Sequence, residues 1–163
     1  MGKVRQGFYD ERFEGVVWTE YPFGKGDLTS DGIQYSAEVT TTDRNWTEVE
    51  QVTIEPPSDG VIIEVELAVT HSIKSTGATK YVKHKVQARN KGGTWVDLYS
   101  EVTRVANASA YAEVTYSDRF PTQANFNAVP FDVRIVIQRE DATENAVGKA
   151  RNAGYVRVRY ATT

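Results

Sequence analysis

The sequence predicts an all-β fold, an antiparallel two-sheet β-sandwich of jelly-roll or Greek-key type, with one short helix near residues 142–152. Three observations carry this expectation. Apolar and polar residues alternate with a period of two in most runs beyond residue 32. The runs are roughly five to eleven residues long and are bounded by Gly, Pro, Asn and Asp clusters. They also follow one another without interleaved helices until near the end, which calls for antiparallel pairing.

Residues 1–26 read as an irregular, aromatic-rich N-terminal arm, and 27–163 as a single sandwich domain. Phe8, Tyr9, Phe13, Trp18, Tyr21 and Phe23 crowd together without periodicity, and only Gly15–Thr19 has strand character. Such a segment either covers one end of the core or serves as an assembly arm on a neighbouring subunit. Ile33–Thr40 is the next expected strand, with Ile33, Tyr35, Ala37 and Val39 on one face. Trp46–Glu55 follows and stops at Pro56-Pro57-Ser58-Asp59-Gly60.

The stretch Val61–Tyr99 reads as three antiparallel strands in a row. Val61, Ile63, Val65, Leu67 and Val69 form its first apolar row. A turn between Thr76 and Gly77 sets Val69 opposite His84 and Leu67 opposite Val86. A three-residue loop, Lys91–Gly93, then pairs Ala88 with Val96 and Val86 with Leu98. This register turns Tyr81, Gln87, Arg89, Trp95, Asp97 and Tyr99 outward as a candidate binding face. Aromatic rings beside amide and charged groups suit a sugar, and Trp, Tyr and Arg also concentrate at protein interfaces.

Tyr111–Tyr116 is expected to be a strand, as is Phe131–Glu140 with Phe131, Val133, Ile135 and Ile137 inward. Asp141-Ala142-Thr143-Glu144 has the form of a helix-capping box. Ala142, Ala146, Val147 and Ala150 then share a helical face, and Gly154 is the expected stop. Tyr155–Ala161 closes the chain as a strand with Arg157 and Arg159 outward.

Chemistry is sparse. The chain has no cysteine, so disulfides, thiol nucleophiles and Cys-ligated metals are excluded. Its two histidines, His71 and His84, are expected on the apolar face as diagonal neighbours about 7 Å apart. They lack a third ligand, so they are read as core residues and no metal is assigned. Glu64 with Glu66, and Glu48 with Glu50, lie side by side on strand faces. Glycoside hydrolysis needs carboxylates facing each other ~5–10 Å apart, so these read as solvated groups balanced by Lys83, Lys85, Arg157 and Arg159. No serine has a neighbouring base, and no phosphate-cradling loop is present.

The chain is therefore expected to be non-enzymatic, with no cofactor. The leading reading is a structural or interaction subunit of a larger assembly, such as a virion surface or capsid-accessory (decoration) protein. The alternative is a carbohydrate-binding module using the aromatic sheet face. Expected partners are further copies of the chain or other protein subunits, with a glycan under the alternative. A net charge of −3 disfavours nucleic acid. The opening residues lack a signal-peptide core and no apolar run approaches ~20 residues, so a soluble chain is expected and no membrane partner.

Overall fold

Alternation with a period of two gives each strand one apolar row, and two sheets bury those rows against each other. The computed structural model describes residues 16–26, 32–42, 44–55, 60–75, 80–105, 110–121, 130–139 and 148–162. They contain nine strands: β1 (Val16–Phe23), β2 (Val39–Thr41), β3 (Thr47–Ile54), β4 (Gly60–Ser75), β5 (Lys80–Asn90), β6 (Val96–Val105), β7 (Ala112–Pro121), β8 (Phe131–Arg139) and β9 (Gly148–Thr162). One sheet has the order β1-β9-β4-β7, with β2 also on β9, and the other has the order β3-β8-β5-β6. All pairings are antiparallel. Setting aside the three-residue β2, the remaining eight strands run 1-8-3-6 in one sheet and 2-7-4-5 in the other. That is the order of a jelly roll, two interlocked Greek keys.

The core lies between the sheets. Val65, Leu67 and Val69 of β4, Val86 and Ala88 of β5, Phe131, Val133 and Ile135 of β8, and Val156 and Val158 of β9 are all buried in one cluster. Each such Val, Leu, Ile or Phe side chain contributes about 1.5–3 kcal/mol of burial. The inward row expected for Phe131–Glu140 is seen as such, with Phe131, Val133, Ile135 and Ile137 fully buried.

Several expectations are corrected. β4 and β5 do not pair with each other. β4 lies between β7 and β9, and β5 between β6 and β8. The chain changes sheet between them, so Val69 and His84 share the interior from opposite layers and not one ladder. An irregularity between Ile62 and Glu64 buries Ile62 and leaves Ile63 exposed, reversing the first part of the expected row. The helix near 142–152 is not formed at 148–152, which belong to β9; residues 142–147 lie outside the described residues. There Lys149-Ala150-Arg151-Asn152-Ala153 pairs along β4, from Lys74 to Thr70, and this ladder satisfies the backbone at a place where Gly148 weakens a helix.

The strand expected at Ile33–Thr40 shrinks to Val39–Thr41. Tyr35 is buried on the outer side of the first sheet, not between the sheets. Its hydroxyl donates to Glu113 at 2.6 Å, and the Arg151 guanidinium lies 4.1 Å from its ring. Gly154 does not end a helix either. It sits inside β9 at φ 120°, where a Cβ would stand 2.0 Å from the Ala68 carbonyl oxygen. Only glycine permits that approach.

Within the segment read as an arm, Val16–Phe23 is β1, paired with β9 along Ala161–Gly154. Phe23 is buried in the main core and Tyr21 packs against it. Phe8, Tyr9 and Phe13 lie outside the described residues.

Candidate functional site

The residues of the candidate binding face fall on or beside the β3-β8-β5-β6 sheet, and the register decides which of them meet. On its outer face Gln87 stands opposite Arg134 of β8 and Asp97 of β6. Its amide nitrogen donates to Asp97 Oδ1 at 2.7 Å, and its amide oxygen accepts from Arg134 Nε at 2.9 Å. Asp97 also receives Lys85 Nζ at 2.8 Å. Burial pushes the Asp97 carboxyl up, but the hydrogen bonds from Lys85 and Gln87 outweigh it and hold the group below its usual range.

The next row is deeper. Arg89 stands opposite Asp132 and donates from Nε to Asp132 Oδ2 at 3.1 Å. Thr53 donates to the other carboxylate oxygen at 2.9 Å. The Asp132 side chain is only 3% exposed, so this is a nearly desolvated ion pair with both oxygens occupied. Trp95 lies against the two rows. Its ring centroid is 4.2 Å from the Arg89 guanidinium and 4.0 Å from that of Arg134, both within cation–π range. Trp46 repeats the arrangement with Lys85 Nζ at 4.6 Å.

The structure thus brings Gln87, Arg89, Trp95 and Asp97 together. Tyr99 leaves the set. A bulge between Val86 and Gln87 puts Tyr99, not Leu98, opposite Val86. Leu98 and Tyr99 both pack on the core, and the Tyr99 ring stacks on Tyr116 at 3.9 Å, closing the β6–β7 side of the sandwich. Tyr81 lies in β5 opposite Arg104, and its side chain is outside the described part. Sequence reasoning missed Asp132, Arg134 and Trp46 as members of this face. Asp132 and Arg134 reach it through the β5–β8 pairing, which no local pattern specifies.

The outer face of the other sheet holds the third tryptophan. Trp18 is 38% exposed, with Arg157 at 4.8 Å and Arg119 at 5.8 Å from its ring. Glu66 bridges these two arginines, to Arg157 at 2.5 Å and to Arg119 at 2.8 Å. Glu64 meets Arg159 at 3.3 Å. Burial pushes Glu66 up, and its hydrogen bonds to Arg119 and Arg157 pull it down further than that, so its carboxyl titrates below the usual range. The side-by-side carboxylates are therefore held by arginines, as their spacing suggested. Glu48 and Glu50 separate at a bulge in β3. Glu48 meets Arg134 at 3.6 Å, and Glu50 accepts from the Gly24 amide at 3.0 Å.

Among the described residues no cluster of three His, Cys, Asp or Glu side chains is placed to hold a metal, and no helix is long and apolar enough to cross a membrane.

Sheet order and outer faces define a jelly-roll β-sandwich whose polar groups are arranged in cross-strand rows. No family model matches the chain, and no curated protein is significantly similar to it. Solved structures share the fold. The chain is similar to part of dimeric latent PorU from Porphyromonas gingivalis, at 12% identity and TM-score 0.58, over 96% of this chain and 14% of that one. It is also similar to part of the infectious bursal disease virus VP2 subviral particle, at 9% identity and TM-score 0.53, over 87% of this chain and 32% of that one. At such identities the likeness is one of fold, and the chain spans a third or less of the length of each.

Proposed function

We propose that this chain is a non-enzymatic structural or interaction module of a larger assembly, and that it docks through the outer face of the β3-β8-β5-β6 sheet. The observation that supports this reading is how fully the face is occupied with itself. Gln87 uses both ends of its amide on Asp97 and Arg134, and Asp132 uses both oxygens on Arg89 and Thr53. A sugar site needs amides and carboxylates turned toward the ligand. Here they are committed to one another, and Tyr99, the second ring of a sugar platform, is turned to the core. What the face offers is a pre-set surface of Trp95 and its arginines, residue types that dominate interface hot spots. The particular assembly we propose is a virion surface or capsid-accessory protein, in keeping with the fold shared with the VP2 subviral particle.

The test is solution mass by light scattering across a roughly hundredfold concentration range, for the full chain beside Trp95→Ala and Trp18→Ala. A defined oligomer is expected, weakened about thirtyfold or more by Trp95→Ala, since truncating a hot spot costs about 2 kcal/mol or more. Trp18→Ala should change it far less. Deleting residues 1–26 is a poor test, because it strips β1 and Phe23 from the sandwich. A monomer at every concentration sinks the homo-oligomer. Retention on immobilised polysaccharide that Trp95→Ala abolishes would put the carbohydrate-binding reading in its place.

A further inference from the structure

The centre of the sandwich is not apolar throughout. His71 of β4 and His84 of β5 come from opposite sheets and meet in the interior, both fully buried, with ring centroids 4.7 Å apart. They interrupt the core. Val69 and Val86 belong to the main apolar cluster, whereas Ile73 and Val82 belong to a second, smaller one with Val49 and Ile137. On each strand the histidine sits between the two clusters, two residues from either. Asn152 stands opposite His71 on β9 and is likewise fully buried. Both ring nitrogens of His71 and both amide atoms of Asn152 lack a hydrogen-bond partner, although buried polar groups are nearly always satisfied.

We propose that the His71–His84 pair is an acid-sensitive latch between the two sheets, holding the sandwich closed while both rings are neutral and loosening it when acid adds a proton to either. The geometry makes the neutral form a condition of closure. A proton on His71, both of whose ring nitrogens lack a partner, places a charge at the seam between the two apolar clusters, beside a second basic ring. Burial accordingly pulls His71 down to about 3, helped by His84, and pulls His84 down to about 4. In the unfolded chain both return to about 6.5. Because the folded values are depressed, the unfolded state binds more protons as pH falls below about 6.5, and stability present above that pH is lost in this window.

Other groups face the pair. Tyr99 of β6 sets its ring edge-on, 5.7 Å from His84 and 6.4 Å from His71, and Tyr116 of β7 stacks behind it. Both are tyrosines, which stay neutral through the acid range. Ile137 of β8 and Asn152 of β9 carry no charge. Glu101 of β6 stands opposite His84 in the ladder, so its own titration must be separated from that of the histidines.

The experiment is the unfolding equilibrium measured from pH 7.5 to pH 5.5 for wild type, His71→Leu, His84→Leu, the double variant and Glu101→Gln. With only two histidines in the chain, no other imidazole contributes. The wild-type folding constant should fall about a hundredfold over this range, about tenfold per histidine. Each single variant should keep about a tenfold fall, the double variant almost none, and Glu101→Gln most of the wild-type fall. Imidazole NMR of the folded wild type gives a second reading that needs no variant. The ring signals should stay in the neutral position down to pH 5.5. Reversible titration near 6.5 in the folded protein, or a double variant as pH-sensitive as wild type, overturns the latch.

Discussion

The two outer faces of the sandwich are built from the same parts and differ in how deep those parts lie. Each carries a tryptophan beside two arginines, and the arginines pair with carboxylates one strand away. At Trp95, Asp132, the partner of Arg89, is 3% exposed and Glu48, the partner of Arg134, is 44% exposed, while the two arginine side chains are 26% and 23% exposed. At Trp18 they are 34% and 59% exposed, and the bridging Glu66 is 12% exposed. Coulomb attraction and cation–π contact both strengthen as water is removed, so the same residue list makes a fixed surface on one side and a solvated one on the other. Composition alone therefore does not separate the two faces. The depth of the Arg89–Asp132 pair does.

The largest effect is expected at a residue that carries one face and not the other. Gly154→Ala would drive a methyl group into the Ala68 carbonyl, separating β9 from β4 beneath the Trp18 face. It should cost at least about 3 kcal/mol, read as a lower denaturant midpoint. A loss below about 1 kcal/mol would mean that the close approach of β9 to β4 is easily relieved.

Next come the carboxylates. Asp132→Ala should cost about 2–3 kcal/mol, because it leaves Arg89 and Thr53 without their partner in a largely dry site. Glu66→Ala should cost less than half of that, since its two arginine partners keep contact with solvent once it is gone. The comparison is broken if the two losses are equal.

Much of this arrangement was legible in the sequence, because side-chain direction in a strand is a local property. The inward row of β8 and the outward arginines of β9 both follow from alternation. Pairing partners were not legible. An apolar row looks the same whether the next strand turns back in the same sheet or crosses to the other, so β4 and β5 read as a hairpin, and His71 and His84 as ladder neighbours, when they meet across the interior. Single-residue irregularities were equally hidden. The bulges near Ile63, Glu48 and Leu98 each shift a register by one residue, which is enough to expose Ile63 and to send Tyr99 inside. The helix expected near 142–152 rested on capping residues and an alanine face, and at 148–152 a ladder with β4 overrides it.

The smallest predicted effect sharpens the comparison most, because it depends on depth alone. Between about 0.1 M and about 1 M salt the screening length falls from about 10 Å to about 3 Å. Screening acts on charges in contact with solvent and little on pairs withdrawn from it. The stability difference between wild type and Glu66→Ala should therefore shrink as sodium chloride is raised, and that between wild type and Asp132→Ala should hold. Taking each variant against wild type at the same salt removes the general effect of salt on apolar burial, which is common to both. If the Asp132 difference shrinks as fast as the Glu66 difference, the Trp95 face is as wet as the Trp18 face, and depth no longer distinguishes them.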